Sequence, residues 1–211
     1  MADNYLEKKM EQHSANSATT VNKPKQTLQS LLVKNRSTRG YVTSFVVRKD
    51  QMLRIVSVNN KIASARNAQP LRFRIVTAEE THKVLPHIKM GAALPHLNLP
   101  QKGCEPNSFI IICCIEEPRP STYVDLGISV QSMLLQAVEI GLNGVCIMSF
   151  DKEKIIENFS LPYEPLMIVA IGKSSEKIEL VNISVNECRD YYRREDVHYV
   201  PKLTLEELII R

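Results

Sequence analysis

The chain is organised around residues 62 to 76, which read Ile62-Ala63-Ser64-Ala65-Arg66-Asn67-Ala68-Gln69-Pro70-Leu71-Arg72-Phe73-Arg74-Ile75-Val76. Its first half is a run of small and polar residues, and its second half alternates apolar and polar side chains, as a half-buried strand does. Small residues let backbone N–H groups approach a bound molecule closely, and Asn and Gln satisfy the mixed donors and acceptors of a heterocycle. The stretch therefore predicts a ligand-binding loop held by a strand. It is equally consistent with an ordinary turn between a helix and a strand, because Ser, Asn and Pro are turn residues.

Composition places the chain among soluble, globular proteins. Of its 211 residues, 44% are hydrophobic and 24% are charged, which suits one domain with a substantial core or one subunit of a larger assembly. No apolar run approaches the roughly 18 residues that a membrane-spanning helix needs. The N-terminus is polar and lacks the apolar core of a secretory signal. We therefore expect a cytoplasmic protein with no membrane partner.

The five cysteines form no CxxC pair and no metal-ligand spacing. Cys113, Cys114 and Cys146 lie in apolar runs, so we expect them to be buried, reduced thiols. The five histidines are scattered along the chain. The sequence predicts neither a metal site nor a Cys-His nucleophile pair.

Basic residues are concentrated in the first third of the chain. Residues 1–75 hold 14 Lys and Arg against 4 Asp and Glu, a net charge of +10, whereas the remainder has a net charge of −6. Such a region suits nucleic acid, a membrane surface or a small phosphorylated ligand. It contains no RNP-like aromatic motif, no helix-turn-helix signature and no unbroken Lys/Arg block. We therefore expect no nucleic-acid partner.

The domain organisation follows from where the periodic segments begin. Residues 1–24 combine a short candidate helix with a linker rich in Ser, Ala, Thr and Asn, so we treat them as an appendage to one domain over residues 25–211. Periodicity predicts helices over residues 26–34, 50–60 and 78–86. Three prolines and Gly103 predict a long loop over residues 91–107, which in a compact domain is more often functional than idle.

The second half of the chain carries the predicted core. Residues 108–115 are continuously apolar and predict a strand buried on both faces. A helix should follow as far as residue 140, with Ser121-Thr122 as its N-cap and Asp125 in its first turn. Because this helix is apolar nearly all round, it should be buried on nearly all sides, either in a monomer or against a partner subunit.

Four further elements complete the prediction. Gly141 to Gly144 should end the long helix, a strand should cover residues 145–148, a helix 151–158 and a second buried strand 165–171. The segment 203–210 is amphipathic but too short to be a stable helix alone. We expect it to pack on a partner subunit.

Arg36-Ser37-Thr38-Arg39 places two guanidinium groups three residues apart. On a helix end or a turn both would lie on one side and could bind a phosphate or an electron-rich ring edge. The alternative is a solvated basic turn, where the cations favour the negative end of the helix dipole.

Together, these segments resemble the motifs of the nitroreductase family in the family's order over residues 26–211. Arg36 to Arg39 is similar to its Arg-Ser-x-Arg motif, and Ser64 to Pro70 to its Pro-Ser-x-x-Asn-x-Gln-Pro loop. Residues 141–150 resemble its Gly-Leu-Gly segment and the flavin-facing loop after it. Ile171-Gly172 and the tail around Val200-Pro201-Lys202 also match. The chain departs from the pattern at four positions: Ala63 stands for Pro, Leu71 for Trp, Asn143 for Gly and Leu203 for Arg.

The resemblance implies an α+β fold in which a central, antiparallel-rich sheet is flanked by helices, as an intertwined homodimer. It implies FMN in two sites at the dimer interface and NAD(P)H as hydride donor. The substrates would be nitroaromatics, quinones or similar small acceptors. The cofactor performs the hydride chemistry, so we name no catalytic side chain. The alternative is a non-catalytic flavin-binding protein.

The resemblance also implies the cofactor contacts. Arg36 and Ser37 should contact the phosphate and ribityl chain, and Arg39 the pyrimidine edge of the ring. Residues of the loop should lie along the flavin, with Asn67 hydrogen-bonded to the ring. Met148 and Ser149 should face the ring from the partner subunit, and Lys173 and Lys202 should lie near the phosphate. The implied set is Arg36, Ser37, Arg39, Ser64, Ala65, Arg66, Asn67, Gln69, Met148, Ser149, Lys173 and Lys202.

Overall fold

A computed structural model of the chain describes residues 26–91 and 97–210. The appendage predicted over residues 1–24 lies outside this range, as does part of the predicted long loop. In chain order the helices and strands are α1 (Leu28–Lys34), α2 (Lys49–Val56), β1 (Leu71–Val76), β2 (Ser108–Cys114), α3 (Pro120–Glu139), β3 (Asn143–Ile147), α4 (Lys152–Phe159), β4 (Glu164–Gly172), β5 (Lys177–Ile183), β6 (Tyr192–Arg194), β7 (Val197–Leu203) and α5 (Leu205–Leu208). None of the helices in this described part is long and apolar enough to cross a membrane.

The centre of the fold is a four-stranded antiparallel sheet in the order β1-β2-β4-β3. Every residue of β2 is buried, as its continuous apolar run predicts. Because successive side chains point to opposite faces, Ile110 and Ile112 pack on one side of the sheet and Phe109 and Ile111 on the other. The predicted strands β1, β2 and β4 are confirmed.

Both faces of the sheet are covered. On the first, Met52 and Ile55 of α2 and Met133 of α3 are fully buried against the strands. On the second face, Ile155 of α4 and Val84, which precedes Leu85–His87, are fully buried against the strands. Asp151 caps α4 by accepting a hydrogen bond from Lys154 N at 3.0 Å, so the predicted helix there is confirmed.

The long helix α3 differs from the prediction at its start. It begins at Pro120 and Arg119 is its N-cap, so the assignment of Ser121-Thr122 as N-cap is wrong. Proline is favoured at the first helical position because its fixed φ suits the helix and its missing N–H is not needed there. Asp125 consequently lies beyond the first turn.

The predicted burial of α3 on nearly all sides is wrong for the single chain. Tyr123, Val124 and Ile128 are 52%, 60% and 38% exposed, so one stripe of the helix has no cover. The opposite stripe is buried and includes the polar residues Thr122, Asp125 and Ser129. A partner subunit on the open stripe stays a prediction.

A tight turn joins α3 to β3, as predicted. Gly141 has φ of 81°, which glycine adopts without strain at the end of a helix. Leu142 N donates to Ala137 O at 2.8 Å, and β3 begins at the next residue. Cys113 and Cys114 are buried, but Cys146 is exposed, because it lies on the outward side of β3 at the edge of the sheet.

Two predicted helices are shorter or of another type. The helix predicted over residues 50–60 is α2 followed by a 3₁₀ turn at Ser57–Asn60. The segment predicted to be helical before Pro86 forms two 3₁₀ helices, Ala78–Lys83 and Leu85–His87. Proline has no N–H and its ring clashes with the preceding turn, so an α-helix cannot continue through it.

A second, three-stranded sheet in the order β5-β7-β6 was not predicted from the sequence. Its strands β5 and β7 are parallel, and β6 is antiparallel to β7. The tail ends in the single turn of α5, where Leu205 and Leu208 are 66% and 64% exposed. Its packing on a partner stays a prediction.

Candidate functional site

The arginine segment (residues 36–39) runs alongside the start of β3. Ser37 and Gly144 form an isolated parallel bridge, and Thr38 N donates to Gly144 O at 3.3 Å. Asn143 Oδ1 accepts from Arg36 N at 3.3 Å, so the residue that departs from the family's Gly holds this segment in place. The segment is extended rather than helical.

Arg36 contacts the end of α1, as the second interpretation of this segment predicts. Its Nη2 donates to Leu32 O at 2.7 Å, which satisfies a free carbonyl at the end of α1. Its Nε is buried and has no hydrogen-bond partner among the described residues. Burial lowers the pKa of the guanidinium from its ordinary value. A half-buried cation with a buried, unpaired donor is suited to an anionic oxygen.

The two arginines do not share a partner in the single chain. The Arg39 guanidinium lies over the Tyr191 ring, 4.7 Å from its centroid, and Nη1 donates to Ser37 O at 3.2 Å. Arg36 instead contacts α1. The expectation that the guanidinium groups of Arg36 and Arg39 bind one ligand from the same side stays a prediction.

A buried acid fixes the backbone of the arginine segment. Glu176 Oε2 accepts from Arg39 N at 2.7 Å and from Thr38 Oγ1 at 3.1 Å, while Oε1 pairs with Arg193 Nη2. His198 is buried nearby, with its ring centroid 5.1 Å from that of Tyr191. Burial, more than any neighbouring charge, lowers the pKa of His198.

The small-residue loop (residues 64–69) is closed by hydrogen bonds at its two ends. Ser64 Oγ donates to Asp125 Oδ2 at 2.6 Å, and Ala65 N donates to Asp125 Oδ1 at 2.9 Å. Gln69 N in turn donates to Ser64 Oγ at 2.9 Å. The loop is therefore tied to α3.

Three residues of this loop adopt left-handed backbone conformations, and none of them is glycine. Arg66, Asn67 and Gln69 have φ of 51°, 55° and 48°. Such conformations are strained for most side chains and are concentrated at binding and catalytic sites. All three side chains are exposed, and Gln69 Nε2 donates to Asn67 Oδ1 at 3.0 Å. This favours the ligand-binding interpretation of the loop over an ordinary turn.

The cavity behind the loop is small. It measures about 110 Å³ and is lined by Asn59, Ser64, Gln69, Phe73 and Asp125, among others. Pockets for small-molecule ligands and cofactors usually measure about 300–1,000 Å³. The loop of one chain therefore does not enclose a cofactor by itself.

Strand register places the two predicted halves of the site at opposite ends of the central sheet. The small-residue loop precedes Leu71, which pairs with Cys114 at the end of β2. The arginine segment lies beside Gly144, and the preceding residue, Asn143, pairs with Gly172 at the end of β4. Along α3, Glu139 lies 14 residues after Asp125, which corresponds to about 21 Å at 1.5 Å per residue. One chain does not bring the two halves together.

The remaining predicted residues divide between these two ends. Lys173 follows β4 at the arginine end, where its backbone O accepts from Val42 N at 2.9 Å and its Nζ lies 5.7 Å above the Phe45 ring. Met148 and Ser149 follow β3 at the loop end, and Met148 is 67% exposed. Lys89 N donates to Ser149 O at 2.9 Å. Lys202 is exposed on β7, opposite Asn182 of β5.

The buried polar residues that support the small-residue loop and the arginine segment were not predicted from the sequence. Asp125 was interpreted as a first-turn residue of α3, although its spacing from Thr122 and Ser129 puts three polar side chains on one buried helical stripe. Glu176 and His198 carry no local signal, because their neighbours come from distant parts of the chain. Within residues 26–91 and 97–210, no three metal-ligating side chains cluster.

Comparison with known structures defines the class of fold. The chain is similar to a nitroreductase family protein from Clostridium difficile, with a TM-score of 0.57 and 25% identity over 72% of this chain and 86% of that one. It is similar to a protein of Exiguobacterium sibiricum in complex with FMN, described as a candidate nitroreductase, with a TM-score of 0.62 and 19% identity over 76% and 95% of the two chains. For the FMN and NADPH-dependent nitroreductase NfnB from Sphigopyxis, the TM-score is 0.60 and the identity 18%, over 71% and 89%. The architecture is the α+β fold of the nitroreductases, with an antiparallel sheet flanked by helices.

The sequence comparison agrees with the structural one. The family model described as Nitroreductase family matches residues 116–173, which contain α3, β3, α4 and β4. No curated protein matches the chain by sequence. The resemblance to the nitroreductase family is confirmed.

Proposed function

We propose that this protein is an FMN-dependent oxidoreductase that transfers hydride from NAD(P)H through FMN to a small acceptor such as a nitroaromatic or a quinone. The observation that carries the proposal is the half-buried Arg36, whose Nε is buried and has no partner among the described residues. It stands where the family's Arg-Ser-x-Arg motif begins, on a fold shared with proteins described as FMN-dependent or in complex with FMN. A phosphate oxygen fits that unpaired donor.

We propose further that the cofactor site is composite and that the protein is a homodimer. One protomer would supply the arginine segment and Lys173 for the phosphate and pyrimidine ends of FMN. The other would supply the small-residue loop together with Met148 and Ser149. The separation of the arginine segment from the loop within one chain supports this arrangement, because the two lie beyond opposite ends of the central sheet. The uncovered apolar stripe of α3 also supports it.

The role of the chain's own residues is to bind and to orient. Bound FMN supplies the hydride chemistry, which no side chain needs to perform. Arg36 and Ser37 would hold the phosphate and ribityl end, with Lys202 a further candidate there. Arg39 would lie at the pyrimidine edge, where a fixed cation favours negative charge. Asn67 would satisfy a polar edge of the ring.

A cytoplasmic setting and the absence of nucleic-acid and membrane partners belong to the same proposal. They are supported by composition and by the lack of any recognised binding motif in the basic first third. A non-catalytic flavin-binding protein remains the second candidate, because a fold and a cofactor do not fix a reaction.

The test is the visible absorption of the purified protein after reconstitution with FMN. We expect a yellow protein that NADH or NADPH bleaches anaerobically, and steady-state oxidation of the nicotinamide when a quinone or a nitroaromatic is added. Flavin binding without turnover would support the second candidate. A protein that stays colourless after incubation with excess FMN would overturn both.

A further inference from the structure

Asp125 is an acid buried within a helix that is otherwise mostly apolar. Its residue is 6% exposed, and its carboxylate lies against the small-residue loop. In the described part of the chain, both hydrogen bonds that this carboxylate accepts come from the loop: Ser64 Oγ at 2.6 Å and Ala65 N at 2.9 Å. A carboxyl group taken out of water requires such partners, so the loop and the acid depend on each other.

The hydrogen bonds run in one direction and close the loop. Gln69 N donates to Ser64 Oγ, and the Ser64 hydroxyl donates to Asp125. One carboxylate therefore fixes the first residue of the loop directly and the last one through a single hydroxyl. Of the residues in left-handed conformations, Arg66 and Asn67 lie between the two fixed ends of the loop, and Gln69 is its last residue. Strained backbone of this kind persists only where its surroundings hold it.

We propose that Asp125 is a positioning residue for the cofactor: through Ser64 and Ala65 it sets the conformation in which the loop presents Asn67 to the flavin ring. This inference rests on the proposed function, since it is the proposed FMN that the loop would contact. Asp125 itself touches neither the cofactor nor the reacting atoms. Without it, the loop would populate the binding conformation for only part of the time, and the apparent FMN affinity would fall by that fraction.

The chemistry requires a carboxylate rather than any polar side chain. Asp offers two acceptor oxygens, and both are used. Asn offers one oxygen and one NH₂ group. In an Asp125→Asn variant, the oxygen can still accept from Ala65 N, but the NH₂ group cannot accept from the Ser64 hydroxyl. The hydroxyl must then turn its hydrogen away and accept from the NH₂ group as well as from Gln69 N, so the hydrogen bond that it donates is lost. The variant therefore removes one link with almost no change in volume.

A matched control lies one helical turn further along the same stripe. Ser129 is also buried, and its Oγ donates to Asn59 Oδ1 at 2.5 Å. Asn59 belongs to the 3₁₀ turn Ser57–Asn60 rather than to the loop. Ser129→Ala thus removes one buried hydrogen bond from α3 without touching the small-residue loop.

The experiment compares the full-length wild type with Asp125→Asn, Ser64→Ala, the double variant and Ser129→Ala. Hydrogen exchange of the peptide covering residues 64–69 is measured without FMN, and FMN affinity by quenching of flavin fluorescence. We expect Asp125→Asn to speed exchange in the loop and to weaken FMN binding about tenfold, as when the competent fraction falls to about a tenth. The absorption spectrum of FMN bound to the Asp125→Asn variant should also differ from that of the wild type. Ser129→Ala should leave all three unchanged.

The double variant tests whether Asp125 acts through Ser64. Both substitutions remove the hydrogen bond between Ser64 and Asp125, so their effects on the free energy of FMN binding should not add. The double variant should bind FMN with about the affinity of whichever single variant binds it less tightly. Multiplied losses would overturn the proposed route. If Asp125→Asn does not fold, Ser64→Ala cuts the same link from the loop side and takes its place.

The inference and the proposed function fail in different ways. A wild-type protein that binds no FMN overturns the proposed function, and the inference with it. A wild type that binds FMN, combined with an Asp125→Asn variant of unchanged FMN affinity and flavin spectrum, overturns the inference alone. Unchanged loop exchange in that variant would do the same.

Discussion

At the scale of single residues, Arg36 carries a charge whose burial needs compensation. One of its donors is used by the end of α1, and its Nε is unpaired among the described residues. A buried donor left unpaired is costly to an isolated protein, and a complex with an anion removes that cost. Free-protein stability and cofactor affinity should therefore respond in opposite directions when the Arg36 side chain is removed.

The first prediction is that Arg36→Ala weakens FMN binding at least tenfold and leaves the fold intact. A charge-assisted hydrogen bond contributes about 1.5–3 kcal/mol, and about 1.4 kcal/mol is a factor of ten. The measurement is FMN affinity by fluorescence quenching, with circular dichroism as the check on folding. Arg48→Ala is the control, because Arg48 also lies in the basic first third but forms only an exposed ion pair with Asp50. Unchanged affinity in the Arg36 variant would refute its assignment to the phosphate.

The second prediction concerns the midpoint potential of bound FMN. The ring gains negative charge at its pyrimidine edge on reduction, so a cation there stabilises the reduced form. At about 4 Å and an effective dielectric of 20 the attraction is about 4 kcal/mol, of which about 1–2 kcal/mol should remain after desolvation. Because about 1.4 kcal/mol corresponds to ~30 mV for two electrons, Arg39→Ala should lower the potential by a few tens of millivolts.

Spectroelectrochemical titration at matched pH and FMN saturation measures this shift. Arg39→Lys is the control, since it keeps the charge and loses the planar contact with Tyr191. It should recover most of the potential. If Arg39 serves only the local structure, its removal would lower thermal stability slightly and leave the potential where it was.

The third prediction follows from His198. Because burial lowers its pKa in the folded protein, the unfolded chain binds the proton more readily. The stability that the neutral form contributes is present above the ordinary pKa of about 6.5 and is lost as the pH falls through that value toward the lower folded pKa. Arg39 and Arg193 act in the same direction as burial, and Glu176 opposes them.

Urea unfolding at pH 8 and pH 5.5 checks this sign. The wild type should be less stable at the lower pH, and His198→Gln should show a smaller difference between the two. His82→Gln is the control, because His82 is exposed. An equal pH dependence in wild type and His198→Gln would contradict the prediction.

At the scale of elements, the start of β3 packs without spare room. A Cβ on Gly144 would lie 2.8 Å from Leu134 Cδ2 and 2.9 Å from Ile171 Cδ1, and closer still to the backbone O of Ala170. The backbone oxygen cannot move without disturbing the pairing of β3 with β4. This position requires glycine for space rather than for its φ.

The fourth prediction is that Gly144→Ala destabilises the protein by about 3 kcal/mol, at the upper end of the usual cost of overpacking. Gly127→Ala is the control, since nothing lies within 4 Å of a Cβ there and the residue is inside α3. Alanine in a helix is favoured over glycine by about 0.8–1.0 kcal/mol. Chemical unfolding of both variants gives the comparison. A Gly144→Ala protein as stable as the wild type would show that β3 can shift.

How far the sequence predicted these elements depended on whether their pattern was local. A continuous apolar run of strand length identified β2. A much longer, largely apolar segment identified α3, because strands rarely reach that length. The sheet of β5, β6 and β7 was missed although Ile178 and Leu180 alternate with polar residues, since short alternating segments in a polar tail are weak signals. Asp125 was located on the correct helix, but its partner lies 61 residues away and no periodicity reports such a contact.

At the scale of the whole molecule, the described residues include exposed apolar side chains on several elements, among them α3 and the final helical turn. Tyr123 and Val124 are exposed on α3, and Leu205 and Leu208 on the final helical turn. Large apolar patches on one chain indicate an interaction surface. Obligate dimers usually bury more than about 2,000 Å² in total.

The fifth prediction is that the protein is a homodimer and that Val124→Glu both dissociates it and abolishes FMN retention. A carboxylate placed in an apolar interface would have no partner there, and a composite site cannot form on one protomer. Sedimentation and flavin content measure the two effects. Lys154→Glu, at an exposed position on α4, should change neither. A compact wild-type monomer at micromolar concentration would refute the dimer.

Because α3 holds the arginine segment and the small-residue loop apart, defects in the two halves should complement each other in trans. Consider a mixed dimer made by co-expressing an Arg36→Ala chain with an Asn67→Ala chain. If each site draws its halves from different protomers, one site receives both lesions and the other receives none. The hybrid should then retain one tightly bound FMN, although each parental homodimer binds FMN weakly at both sites. If both halves came from one chain, every site would carry a lesion and tight binding would not return.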